Sequence, residues 1–473
     1  MRVSKIIGFI LGFILGFILL AGIVAAVPGA NLYAQNSDGS TASRDSSRPS
    51  GKPLTKDVYA DSRNRLPLPK REDMDEEGRK IFDQLTQKSP LAVGIEQPGA
   101  RLYSPKLAKA IGESARYRKY QTGLSNRLLE VAVLTTAREM DSQYEWTQWE
   151  EHGRDPKDPR FIEPAIIDII KYEKPLKGLG EKEAAIIQFG RELFGHRNVS
   201  PETFAQILRL FGRRGTVDLF WIMTGYSSAS IELTAFDQQL REDQKPLLPP
   251  RARIRKGIWG TPLPMGPPAS GLPKDVFADS RNRLPLPKRE NMEDEESKKI
   301  FDELTRKSEL AVGIEQASVR LHSPRLARAV GAMAHYVKYE SGLSNRLLEI
   351  TVLTTAREMD SQYEWTQWEE HGRDPKDPRF IEPAIIDMIK YRKPVKGLGE
   401  KEAAIIQFGR ELLGQRKVAP ATFAGVLRLF GRKGTVDLVW LMASYSAAAS
   451  ELVAFNQQLR EGQKPLLPPA NRR

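Results

Sequence analysis

Apolar side chains recur along most of this chain every three to four positions, the spacing of one face of an α-helix. Over 76–88 they are Ile81, Phe82 and Leu85. Ser104-Pro105 marks a second start, with proline at a first-turn position where its missing N–H costs nothing. Ser125 is placed to cap a helix that carries Leu128, Leu129 and Ala132 and runs through Met140. Ser142 opens another. Gly180-Glu181 begins a helix with Ala184, Ile187 and Leu193 on one side. Ser200-Pro201 begins one with Phe204, Ile207, Leu208 and Phe211, which stops near Gly212–Gly215. Thr216 then caps a long, mostly apolar helix through Leu233, predicted to be the most buried of the set. No alternating run bounded by a two-residue turn signals a hairpin. The pattern predicts an all-α fold.

The same pattern is written twice. Lys56-Asp57-Val58 returns as Lys274-Asp275-Val276, an offset of 218, which becomes 219 after a one-residue insertion near Glu293. Gly123–Tyr172 matches Gly342–Tyr391 at 47 of 50 positions, differing only at Val131/Ile350, Ala132/Thr351 and Ile169/Met388. So long a period excludes a solenoid and indicates a tandem duplication. The predicted domains are 53–250 and 271–469, each of roughly six to eight helices. Between them 251–270 forms a Pro-rich basic linker with Arg251, Arg253, Arg255 and Lys256, read as a solvated spacer.

Ahead of the repeats, Arg2 and Lys5 precede an uncharged run from Ile6 to Val27. A charged start and an apolar stretch read as an export signal. Its 22 residues are also about what a bilayer-spanning helix needs. Both readings of 1–35 stand, a cleaved signal peptide or a retained membrane anchor. Gly8, Gly12 and Gly16 have the spacing that lets helices pair closely in lipid, although small residues are common in such segments. Either way the bulk of the chain is exported, as a periplasmic, secreted or outward-facing anchored protein. Residues 36–52, rich in Ser, Asp, Gly and Thr, are read as a flexible tether.

Composition narrows the chemistry. The 473 residues include no cysteine, which removes disulfides, thiolate nucleophiles and Cys-ligated zinc. Five histidines make a His-rich metal site unexpected, and no cofactor or metal is predicted. The net charge of +12 favours anionic small molecules. No nucleic-acid-binding motif accompanies it, so nucleic acid is not an expected partner.

The densest candidate chemistry runs from Glu130 to His152. Glu130 stands among Leu128, Leu129, Val131 and Val133, where loss of water would raise its pKa into the range of a general acid or base. Arg138 is a candidate carboxylate anchor, and Glu145 or His152 a second proton carrier. Tyr144, Trp146 and Trp149 are candidate pocket walls, and four of the seven tryptophans lie in the two copies of this segment. The second-copy counterparts are Glu349, Arg357, Glu364, His371, Tyr363, Trp365 and Trp368. Plainer roles compete: Ser142-x-x-Glu145 matches a capping box, Glu130 could pair with an arginine, the tryptophans could be core, and His152 could lie in a mere loop. His196, His322 and His335 have no counterpart in the other copy.

Each copy resembles the carboxymuconolactone decarboxylase family, which has the alkyl hydroperoxidase D-like fold. The resemblance rests on Arg65-Leu66-Pro67, Leu124 to Trp146, Glu181-Lys182-Glu183, Val199 to Phe204 and Gly212 to Leu219. It implies an all-helical unit that assembles into trimers or hexamers, and for the fused pair a trimer of two-domain chains. It implies either decarboxylation of a carboxylated lactone or, in the redox branch, thiol peroxidase chemistry. The second is chemically empty here, because Ser142 and Glu145, with Ser361 and Glu364, stand at the branch's cysteine positions. Trp149 and Trp368 stand where the family often has histidine, and Asp155–Pro159 inserts a loop that could reshape the pocket mouth. Two functions follow: a cofactor-free decarboxylase or lactone-processing enzyme, or a non-catalytic binding or scaffold protein on the same fold.

Overall fold

The structure is a computed structural model that describes residues 54–88, 98–251, 272–307 and 317–468. The apolar N-terminal segment, the tether and nearly all of the basic linker lie outside the described residues. Within them there are helices and loops and no strand, and no helix is long and apolar enough to cross a membrane.

Each repeat has eight α-helices among the described residues. In the first, a four-residue helix Pro98–Arg101 accompanies α1 (Glu76–Lys88), α2 (Pro105–Tyr120), α3 (Asn126–Glu139), α4 (Gln143–Arg154), α5 (Pro164–Lys171), α6 (Glu181–Gly190) and α7 (Pro201–Ala235). The second repeats the order with Ala317–Arg320, α8 (Glu295–Lys307), α9 (Pro324–His335), α10 (Asn345–Glu358), α11 (Gln362–Gly372), α12 (Pro383–Lys390), α13 (Glu400–Gly409) and α14 (Pro420–Ala454).

The starts follow the sequence signals. Ser125 Oγ accepts from Leu128 N at 3.4 Å, and Ser200 Oγ from Thr203 N at 3.2 Å, each satisfying an orphan first-turn donor. The helix end expected near Gly212 is there, as a sharp kink between two helical stretches. Gly212 has φ 66° and ψ 179°, a conformation open essentially to glycine alone, and the chain resumes helix at once to make one 35-residue element. Thr216 Oγ1 donates to the Gly212 carbonyl at 2.7 Å, satisfying an acceptor that the kink frees from the helical ladder.

Helix α3 is the axis of its repeat. Every residue from Leu129 to Glu139 is buried, because α4, α5, α6 and α7 all pack on it. Its polar residues are therefore interior groups, and each needs a partner or a purpose.

The two repeats are not separate bodies on a spacer. One continuous apolar core draws on both, and α7 packs along α14. The interface is reciprocal, as in a two-fold dimer. Trp221 Nε1 donates to Glu451 at 3.1 Å, and Trp440 Nε1 to Glu232 at 3.0 Å. Arg101 pairs with that same Glu232 at 2.6 Å and stacks over Trp440, while Arg320 pairs with Glu451 at 2.7 Å and stacks over Trp221. Ser104, the cap residue of α2, donates across the interface to Asp437 at 2.7 Å, and Ser323 to Asp218 at 2.7 Å.

Arg251, read as part of a solvated linker, is instead docked. It pairs with Asp141 at 3.0 Å, Glu139 at 3.2 Å and Glu173 at 2.9 Å. The second repeat has Arg392 where the first has Glu173, and Arg392 itself pairs with Glu358 at 3.1 Å. The same buried acid is thus neutralised in both copies from different chain positions.

Candidate active site

The site forms where α3, α4, the end of α2 and the middle of α7 meet. Its centre is the Trp149 indole on α4. Tyr226 of α7 meets the ring edge-on at 5.1 Å between centroids. The Lys119 ammonium and the Arg160 guanidinium each lie 5.5 Å from the ring centroid, within cation–π range. The second repeat repeats this around Trp368, with Tyr445 at 5.4 Å, Lys338 at 5.5 Å and Arg379 at 5.4 Å.

Glu130 enters from α3. It is fully buried, and neither carboxyl oxygen has a hydrogen-bond partner. Burial pushes its pKa up to about 9, opposed by Arg160 and Lys119 and reinforced by Asp158. At neutral pH the group is a carboxylic acid with a proton to give. Room for it comes from α4, where a Cβ on Gly153 would stand 2.9 Å from Glu130 Oε1. Glu349 matches it: both oxygens lack partners, the pKa rises to about 9, and a Cβ on Gly372 would stand 3.0 Å away.

Glu145 is the second carboxyl group. The capping box does not form, for Ser142 makes no side-chain cap and Glu145 turns inward to hydrogen-bond Trp149. Burial raises its pKa to about 7, against Arg101 and Lys119. Glu364 behaves alike, also at about 7. Tyr226 lies within electrostatic reach of both Glu130 and Glu145, and burial keeps its phenol protonated. In the second repeat Lys338 feels both Glu349 and Glu364, and burial lowers it to about 8. One acid near 9 and one near 7, both within reach of Lys119 and Tyr226, have the separation that lets two like groups take opposite roles around neutrality.

The other expected residues divide. His152, at the C-terminal end of α4, is half exposed, with Nδ1 3.3 Å from Asp158, and burial lowers its pKa. His371 sits 3.1 Å from Asp377. Both histidines thus stand at the rim, tied to the inserted loop. That loop brings Arg160, which Asp158 holds through contacts of 2.8 and 2.7 Å, over the indole.

Arg138, the candidate carboxylate anchor, stands apart from the Trp149 cluster. It lies eight residues beyond Glu130 on α3, roughly 12 Å along the axis, and is committed to Asp141 at 2.6 Å and the Pro249 carbonyl at 2.9 Å. Arg357 is committed likewise to Asp360 and the Pro468 carbonyl. Trp146 and Trp365 are core rather than pocket wall. Both are fully buried, and their indole N–H groups bond Glu150 and Glu369, which also hold Lys171 at 2.5 Å and Lys390 at 2.6 Å. Tyr144 and Tyr363 are buried in the first turns of α4 and α11.

The site also contains groups that sequence reasoning did not select: Lys119, Arg160 and Tyr226, with Lys338, Arg379 and Tyr445. Their presence in both copies was visible, but nothing in their spacing tied three distant segments to one indole. Among the described residues no group of three or more metal-ligating side chains comes together. Comparison of the chain with family models, with curated proteins and with solved structures gave no match.

Proposed function

We propose that this chain is a cofactor-free acid–base enzyme of carboxymuconolactone decarboxylase type, acting on small carboxylated or lactone-bearing molecules. The observation that carries this reading is the Glu130 carboxyl, and its twin Glu349: buried, protonated at neutral pH and without a hydrogen-bond partner. A buried polar group with no partner costs stability, and such a cost is typical of a working site. In a decarboxylation, the C–C bond to the substrate carboxylate breaks and CO2 leaves. The electron pair stays on the ring carbon, stabilised by the adjoining unsaturated lactone. Glu130 gives its proton to that carbon, and the resulting carboxylate is reprotonated from water through Glu145. Trp149 offers a flat wall for a ring, and Lys119 and Arg160 offset the substrate's negative charge.

The test is the double variant Glu130→Gln, Glu349→Gln, assayed for CO2 release or lactone turnover on substrates selected by thermal shift. Loss of a general acid typically costs 10²–10⁴-fold, and a loss of that size is expected. Full activity in the double variant overturns the assignment. We further propose export through the N-terminal segment and a trimer of fused pairs, for which a monomeric mass by light scattering would be the contrary result.

A second reading is a non-catalytic small-molecule-binding or scaffold protein. It is favoured by the two histidines being held at the rim by Asp158 and Asp377, leaving no imidazole at the indole. Saturable ligand binding without turnover would select it.

A further inference from the structure

Among the differences between the two sites, one changes the charge of the interior. Arg118, on α2 of the first repeat, is buried. Its Nη1 donates to Ser114 Oγ at 2.6 Å, and no carboxylate contacts the guanidinium among the described residues. The other buried arginines, Arg63, Arg65, Arg138, Arg197, Arg283 and Arg357, each pair with an acid. Burial lowers the Arg118 pKa to about 10, which leaves the group charged at neutral pH. A buried cation without a counter-ion is strongly unfavourable unless something supplies the charge.

Its position is built. The guanidinium lies against the backbone of α7 at Gly225, where a Cβ would stand 2.4 Å from Arg118 Nε. The next residue is Tyr226, which is within electrostatic reach of Arg118, Glu145 and Glu130 together. The second repeat has lost all three parts. Met333 replaces Ser114, Val337 replaces Arg118 and Ser444 replaces Gly225, and the buried Ser444 hydroxyl has no partner. Among the described residues no cation takes the place of Arg118 around Tyr445; the basic groups there are Lys338 and Arg379, the counterparts of Lys119 and Arg160.

We propose that Arg118 is the carboxylate-binding residue of the first repeat, so that each chain holds one carboxylate-bearing ligand at its first site and none at its second. A planar guanidinium presents paired N–H donors that match a carboxylate, and Arg118 has donors uncommitted to protein. In Arg138, the arginine that the sequence put forward for this role, both Nη atoms are already committed, to Asp141 and to the Pro249 carbonyl. The inference rests on the reading of the Trp149 cluster as a ligand site, but it needs no turnover.

The experiment is calorimetric titration of the full chain with formate, acetate and benzoate in chloride-free buffer, with benzamide as the neutral control. The expected result is one carboxylate per chain, binding at least tenfold weaker in Arg118→Met, and no comparable loss for benzamide. A second variant, Met333→Ser with Val337→Arg and Ser444→Gly, should raise the stoichiometry to two, which keeps the test decisive should Arg118→Met fold poorly. Two carboxylates per wild-type chain, none of the three bound, or a graft that adds no site would overturn the proposal. Carboxylate binding that survives Glu130→Gln with Glu349→Gln, while the unaltered chain shows no turnover or the variant's turnover is unchanged, would sink the lyase reading and leave this one standing.

Discussion

Glu130 and Glu349 make the stability of the fold depend on pH in an unusual direction. Their folded pKa of about 9 lies far above the ordinary 4.5. A raised carboxyl pKa means that the folded state holds its proton more tightly than the unfolded chain. The contribution is therefore complete below about 4.5 and is lost as pH rises through about 9. Lys338, lowered to about 8 from 10.5, acts in the opposite sense above about 8. The melting temperature should fall between pH 5 and 8, and Glu130→Gln with Glu349→Gln should flatten that fall, as a melting series across this range would show. The sequence revealed Glu130 because a carboxylate amid leucine and valine is conspicuous. It put Arg138 forward as the carboxylate anchor and did not single out Arg118. Only the partners that folding supplies, Asp141 for one and a serine hydroxyl for the other, tell them apart. Nor could local text decide Glu145, whose capping-box spacing is real while its side chain turns to the indole.

Elements were legible where their ends carry their own chemistry. Ser125, Ser200 and the prolines after Ser104 and Ser200 place helix starts that the structure shares, because caps and first-turn prolines act within four residues. Helix α5 went unread although Pro164 stands at its first turn and Ile166, Ile167 and Ile170 share one face. Gly212 ends one helical stretch as expected, and the next begins at once, so the break is a kink: a residue at φ 66° interrupts the ladder whether or not helix follows. The distinction matters for the site, because the kink sets the direction in which α7 carries Tyr226 and Trp221. Gly212→Ala should cost about 1–3 kcal/mol from strain at a glycine-only conformation, read by denaturant unfolding. The same exchange at Gly112, which is helical and has open space around its Cβ position, should be neutral or slightly stabilising.

At the scale of the whole molecule, duplication was plain in the text but its geometry was not. Two repeats at an offset of 219 are equally compatible with beads on a spacer and with a fused pair. What decides is that the Trp221 and Trp440 indoles find their hydrogen-bond acceptors, Glu451 and Glu232, in the opposite repeat. The molecule should therefore unfold in one calorimetric transition rather than two. Glu232→Gln, which strips the charge paired with Arg101, should lower the stability of both halves by about 3 kcal/mol. Two separated transitions would contradict the shared core. The reciprocal interface also has a consequence in time. During synthesis the first repeat is complete some 219 residues before its counterpart. At about 5–20 residues per second, that is a wait of roughly 10–40 s with the α7 face bare. Its nearest suitors in that interval are first repeats on neighbouring ribosomes, which present the same serine, tryptophan and glutamate pattern. Speed of translation, rather than affinity alone, thus bears on whether a chain closes on itself or on a neighbour.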